Sequence, residues 1–315
     1  MHTGAHIRLG AGQYRLDRPL AASSYGVVWR ATRQHDGLAV ALKLVNHDQM
    51  ARAHPALRVR WIDSAAKEIA FLGSLAPWDE RHIVRLLDSG EHAGLPAMAL
   101  ELLGPDLGRH LAARAGEPPV ALDQTLAWLA QANQALAKVH AHGWHYLDLK
   151  PANLLLHPID GGVRLADFGT SRLLAGRPST SYAGSANWQA PEQFFPNASG
   201  HYDTGHRSDY FSLGALFYYL LSGGRALRFC QACGDAWRSH GLHGPALLLR
   251  QYQGQPPTLH PDEARLVGEA AGEAALALLT ALLAARPQGR PANALQISRM
   301  IGAVHAARRP RAQFA

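Results

Sequence analysis

Hydrophobic positions along the chain change period, and the changes mark out its elements. Ala39-Val40-Ala41-Leu42-Lys43 alternates as a strand does, and a period of two puts Ala41 and Lys43 on one face. From Asp63 to Leu75 the apolar positions Ile69, Leu72 and Leu75 recur at helical spacing. This predicts a helix capped by Asp63 or Ser64, with Glu68 one turn before Leu72. Two further strands are predicted around Val84–Leu87 and Ala97–Leu100, and Gly104-Pro105 ends the second. Helices take over beyond that point. Leu122, Leu126, Leu129, Leu136 and Val139 line one face of a helix from Asp123 to His142, closed by Gly143. Ser208 to Leu221 is apolar nearly all round, the mark of a buried helix, and is shorter than the roughly 20 apolar residues a bilayer requires. Strands followed by helices, with no internal repeat, predict an α+β chain.

Candidate chemistry gathers in the middle of the chain. Tyr146-Leu147-Asp148-Leu149-Lys150-Pro151-Ala152-Asn153 is followed by Asp167-Phe168-Gly169. Moving a phosphoryl group to a hydroxyl requires a carboxylate near the nucleophile and cations where phosphate charge develops. Asp148 is placed to accept or orient the hydroxyl proton, and Lys150 to balance charge on the transferred group. Asn153 and Asp167 supply the few hard oxygen ligands that suit Mg²⁺. Small Ala41 would let a flat adenine lie against the strand face while Lys43 reaches phosphate oxygens.

Together these strings resemble a eukaryotic-like, Hanks-type serine/threonine protein kinase of the bacterial stand-alone kind. The resemblance spans Gln13 to Arg290 and implies a bilobal kinase fold. Its smaller lobe would be an antiparallel sheet with one main helix over residues 13–100. A hinge at 101–105 and a larger, mostly helical lobe over 106–307 would follow, with 1–12 an N-terminal extension and 308–315 a basic tail. It implies that Glu68 pairs with Lys43. Glu101 and Leu103 would offer backbone groups to adenine beside Leu100 as gatekeeper, and Leu155 joins the nucleotide-contacting set. Ala190-Pro191-Glu192 would close the activation segment, Glu192 would pair with Arg290, and Asp209 would hold the catalytic-loop backbone. Lysine at 150 and a hydroxyl at Ser185 match the serine/threonine class. ATP and Mg²⁺ are the implied cofactors, and proteins bearing Ser or Thr the implied substrates.

Two departures stand out. The family's phosphate-covering loop, G-x-G-x-x-G-x-V, corresponds to Ala21-Ala22-Ser23-Ser24-Tyr25-Gly26-Val27-Val28, where only the last glycine survives. Fewer positive-φ positions predict a stiffer hairpin, with Tyr25 left to cap phosphates and Gly26 and Val28 near the nucleotide. Tyr146-Leu147 replaces the usual His-Arg, removing the arginine that would bind a phosphorylated activation loop. Activity is therefore expected not to require phosphorylation of Ser179, Thr180, Ser181 or Tyr182. Ala21, Ser23 and Leu147 favour a second reading, a pseudokinase that binds ATP as a scaffold. A third, a small-molecule phosphotransferase, shares the carboxylate logic but would lack Ala190-Pro191-Glu192 and Asp209.

Composition adds little. A chain of 315 residues with 31 Lys plus Arg against 24 Asp plus Glu carries +7, but the basic residues are scattered until Arg308-Arg309-Pro310-Arg311. That pattern predicts a solvated tail and no nucleic-acid surface. With no signal pattern after Met1 and no long apolar span, a soluble cytoplasmic protein is expected, with no membrane partner. The two cysteines, Cys230 and Cys233, form C-x-x-C ahead of His240 and His243, four zinc-ligand types that could close a structural site, against which the His pair is spaced more closely than the usual H-x₃₋₅-H.

Overall fold

Six strands from the first third of the chain form one antiparallel sheet. They are β1 (His6–Arg8), β2 (Gln13–Ala22), β3 (Gly26–Arg33), β4 (Ala39–Val45), β5 (Leu86–His92) and β6 (Leu95–Glu101), in the order β1-β2-β3-β4-β6-β5. The structure is a computed structural model and describes residues 1–22, 26–173 and 184–308, with the backbone alone for 47–49. Ser23, Ser24 and Tyr25, the phosphorylatable run Ser179, Thr180, Ser181 and Tyr182, and Arg309, Pro310 and Arg311 of the tail lie outside the described residues. The chain divides into two units. One comprises Met1–Gly104, His157–Asp160 and Leu165–Gly169; the other comprises Pro105–Leu156, Gly161–Arg164 and Thr170–Ala315.

In the first unit the predicted alternation is realised in β4. Val40, Leu42 and Leu44 are buried with Tyr14, Leu16, Trp29, Ala31, Ala97 and Ala99 in one core. Ala41 and Lys43 therefore lie on the other face. Ahead of β2, residues 1–12 supply the edge strand β1, with Ile7 and Leu9 buried in the same core. The Gly10 N–H donates to Ser89 O at 3.2 Å, and Asp88 accepts from Ala11 N at 3.0 Å and Tyr14 Oη at 2.9 Å. The N-terminal turn is thus fastened to β5. Strands β5 and β6 are joined by Ala93 and Gly94, both left-handed at φ 51° and 74°, the geometry of a two-residue hairpin turn.

Short α1 (His47–Arg52) leads to α2 (Pro55–Ser74), which begins eight residues before the predicted cap. Proline at the first helical position starts it, and the His54 ring accepts the Ala56 N–H at 3.3 Å. Asp63 and Ser64 are consequently mid-helix and cap nothing. The first half of α2 is largely exposed, so no apolar stripe announced it, whereas Glu68, Phe71 and Leu72 form its buried face.

The second unit is mostly helical. It contains α3 (Leu107–Ala113), α4 (Leu122–Ala141), α5 (Pro191–Phe194), α6 (His206–Leu221), α7 (Arg228–His240), α8 (Gly244–Gln251), α9 (Pro261–Ala271), α10 (Glu273–Leu282) and α11 (Ala294–Arg308). Two ribbons complete the fold, β7 (Trp144–His145) with β10 (Arg172–Leu173), and β8 (Leu154–Leu156) with β9 (Val163–Leu165). Helix α6 is buried along nearly its whole length, as its composition demanded. A Cβ on Gly214 would come 2.8 Å from Leu282 Cβ, so glycine sets the approach of α6 to α10.

The zinc expectation is corrected here. Cys230 and Cys233 sit one turn apart on the buried face of α7, where burial raises both thiol pKa values and keeps them protonated. His240 is the last residue of that helix and His243 lies past it, both exposed. Among the described residues no group of three or more His, Cys, Asp or Glu is placed to hold a metal ion. C-x-x-C here follows helical periodicity and serves the core.

Candidate active site

The first unit builds a charged cluster on the face of β4 opposite its core. Lys43 Nζ lies 2.7 Å from Glu68 Oε2 and 2.9 Å from Asp167 Oδ1. Register places Lys43 between Val28 on β3 and Met98 on β6, and Ala41 opposite Leu100. Burial works against the Lys43 charge, but the facing Asp167 and Glu68 carboxylates outweigh it and raise its pKa, keeping the ammonium charged. Burial raises Glu68 in turn, against the pull of Lys43. Lys43, Glu68 and Asp167 line one cleft with Gly26, Ser64 and Met98.

One face of α2 arranges the Asp-Phe-Gly string. Ser64, Glu68 and Phe71 are spaced at helical intervals, so they share that face. Ser64 Oγ donates to Gly169 O at 2.5 Å, Glu68 takes Lys43, and Phe71 stacks on Phe168 with centroids 4.6 Å apart. Asp167 itself is left-handed at φ 61°, a conformation that costs a non-glycine residue about 1–3 kcal/mol and survives only where its surroundings impose it. At the end of β6, the Glu101 N–H donates to Arg85 O and its carboxylate accepts from Arg85 N, both at 3.0 Å. Leu103 follows one residue before the boundary between units, and Leu155, in the second unit, bridges to Asp106.

A second cluster belongs to the second unit. Buried Asp148 accepts from Lys150 Nζ at 2.8 Å through Oδ2, and Lys150 also donates to Ser185 Oγ at 2.6 Å. Asn153 Nδ2 donates to Asp148 O at 2.9 Å and Oδ2 at 3.2 Å. Asp148, Lys150 and Asn153 converge because Pro151–Asn153 folds as a single tight turn that brings Asn153 back on Asp148, and Ser185 joins them from 35 positions beyond Lys150. Asp209, fully buried at the N-terminal end of α6, accepts from the Leu147 and Tyr146 N–H groups at 2.6 and 2.9 Å and pairs with His140 Nε2 at 2.8 Å. The helix dipole favours a carboxylate at that end. Leu147 is left-handed at φ 66°.

Farther from Asp148, Glu192 receives Arg290 Nη1 and Nη2 at 2.7 and 2.8 Å. Neither Ser64 nor Gln193 figured among the sequence candidates for the site. Gln193 donates to Leu147 O at 3.0 Å across 46 positions, and its signal was only its place next to Ala190-Pro191-Glu192.

Hard-cation chemistry fits the residues present. Asp167 offers a carboxylate whose side chain is 52% exposed. Asn153, with its amide nitrogen committed to Asp148, keeps its Oδ1 as the remaining donor. Each residue offers oxygen rather than a thiol or an imidazole, a donor type that suits magnesium better than a softer metal.

The protein kinase domain profile matches residues 14–300. Among curated proteins, serine/threonine-protein kinase PknA of Mycobacterium tuberculosis is 29% identical over 308 residues, covering 95% of this chain and 63% of that protein. The carbon catabolite-derepressing protein kinase of Candida tropicalis is 30% identical over 67% of this chain and 32% of its own length. Serine/threonine-protein kinase pkn2 of Myxococcus xanthus is 29% identical over 67% and 24%. The chain thus spans less than two thirds of the length of these relatives. No helix among the described residues is long and apolar enough to cross a membrane.

Proposed function

The chain belongs to the protein kinase family, and from that membership we propose that it transfers the γ-phosphoryl group of ATP to Ser and Thr hydroxyls of proteins. Asp148 orients the attacking hydroxyl and accepts its proton, and Lys150 balances charge on the transferred group. Lys43, held charged by Glu68, binds nucleotide phosphates. Val28, Ala41 and Leu155 pack on adenine, and backbone groups of Glu101 and Leu103 face its edge. Tyr25 and Gly26 cover the phosphates. Asp167 and Asn153 would hold Mg²⁺, which when bound neutralises phosphate charge.

One observation supports this reading above the rest. Every polar side chain expected to carry the chemistry has the partner that its role requires. Lys43 meets both Glu68 and Asp167, while Asp148 meets Lys150 and Asn153. The Lys150–Ser185 bond supports the serine/threonine class. Labelled-ATP transfer to a generic protein substrate tests it. Wild type labels serine and threonine, and Asp148→Asn loses on the order of 10²–10⁴ in kcat. Nucleotide binding without transfer by wild type would convert the reading to an ATP-binding scaffold.

Regulation follows from Leu147. With no guanidinium ahead of Asp148, a phosphorylated segment has no counter-charge at that position. Activity is therefore independent of phosphate on Ser179, Thr180, Ser181 and Tyr182. Alanine at all four leaves kcat/KM at the wild-type level; loss of turnover in that variant sinks the idea.

A further inference from the structure

Gln193 is buried, 1% exposed, and its side-chain amide makes two bonds of opposite polarity. Oε1 accepts the Ala190 N–H at 3.1 Å, and Nε2 donates to the Leu147 carbonyl at 3.0 Å. Those partners fix the orientation of the amide, because a backbone N–H only donates and a carbonyl only accepts. Glutamate in its ionised form cannot make the second bond, and methionine makes neither.

The Leu147 carbonyl is an unusual thing to hold. It shares a peptide plane with the Asp148 N–H, so whatever fixes that oxygen fixes the plane from which the Asp148 side chain departs. Asp209 holds the preceding plane by accepting the Leu147 N–H at 2.6 Å. Gly184 closes the third side. A Cβ there would lie 2.5 Å from Leu147 O and 3.1 Å from Gln193 Nε2, and its φ is +94°, so only glycine fits. A left-handed leucine is thus clamped from three directions, two of them supplied by the segment between Gly184 and Gln193.

We propose that Gln193 is a positioning residue that couples the end of the activation segment to the catalytic loop through the Leu147 carbonyl, holding Asp148 in its working orientation without a loop phosphate. The coupling runs through backbone where an arginine at position 147 would couple through its side chain. It rests on the kinase reading and on the phosphate-independence proposed above.

The test uses the full chain and four readouts: kcat, KM for ATP, thermal unfolding, and backbone hydrogen exchange over residues 146–153. Gln193→Met keeps volume and removes both bonds; kcat falls about tenfold with KM for ATP unchanged. Gln193→Glu keeps the acceptor for Ala190. As a carboxylic acid it can still donate to Leu147 O and as a carboxylate it cannot, so its activity recovers as the pH is lowered while the Gln193→Met deficit does not. A Gln193→Met protein with wild-type kcat overturns the proposal, as does a Gln193→Glu profile that tracks wild type at every pH. Exchange is independent of turnover. Faster exchange over 146–153 in Gln193→Met supports the clamp, and unchanged exchange overturns it even in a chain that proves inactive. Failure of the four-alanine variant alone would remove the phosphate-independence reading and leave these outcomes standing.

Discussion

Arg290 is a cation with no exposed side-chain surface. It survives burial because every donor is used: two bonds to Glu192, others to the carbonyls of Ala284, Ala285 and Arg207, and the Phe211 ring 5.0 Å from its guanidinium carbon. Removing one member strands the other, so Arg290→Ala should cost about 3–5 kcal/mol in urea unfolding while leaving KM for ATP unchanged in whatever fraction folds. Two histidines set a pH dependence. Burial lowers His145 and His206 below the ordinary value of 6.5. As pH falls through that value the unfolded chain binds protons that the folded chain resists, so stability declines below pH 6.5 and is fully present above it. The urea midpoint should drop between about pH 7.5 and about pH 5.5, and glutamine at both positions should flatten the decline. At this scale the sequence was readable where chemistry is local. Asp148, Lys150 and Asn153 fall within six positions, near enough in sequence for their side chains to meet as they do. Gln193 was not readable, because its partners are backbone atoms, which leave no mark in the string of residue types. Ser64 was legible only as a hydroxyl near a helix start, and caps and mid-helix latches share that residue type.

Helix α2 shows how an element transmits position. Its Ser64, Glu68 and Phe71 grip three successive residues or their partner, and a Cβ on Gly169 would come 2.5 Å from Ser64 Oγ. Gly169→Ala should therefore impair kcat, and Ser64→Ala in the same chain should restore part of it, a non-additivity that a double-mutant cycle reads directly. Helix α6 makes the complementary case. Alanine in place of Gly214 gains about 1 kcal/mol of helix propensity, yet its methyl would press on Leu282 and Leu283, and overpacking costs about 1–3 kcal/mol. Thermal unfolding should show Gly214→Ala net destabilised. Element type was legible where periodicity was strong, as in β4, α4 and α6, but boundaries slipped wherever periodicity was silent. The exposed first half of α2 carries no stripe, and the turn after β5 uses Ala93 in a conformation normally signalled by Asn or Gly, so β5 was expected to end five residues before it does.

Across the whole molecule, the segment least legible in advance is the one before the family match. The profile begins at residue 14, yet Ile7 of β1 and Leu9 just after it are buried, and the following turn is fastened to Ser89 and Asp88. Deleting residues 1–12 should cost about 3 kcal/mol or more, at roughly 1.5–3 kcal/mol per buried side chain, and lower Tm accordingly. A short polar lead-in reads as an extension because two apolar residues make no pattern. The helical core, by contrast, was visible in the apolar spacing of Leu122 to Val139 and the nearly unbroken apolar run from Ser208 to Leu221. Its two sulfur atoms, sealed inside α7 and held protonated, turn that core into its own gauge. A thiol-reactive dye added to native protein has to wait for the helix to open, so the speed of colour development clocks the opening of that part of the chain without any engineered label.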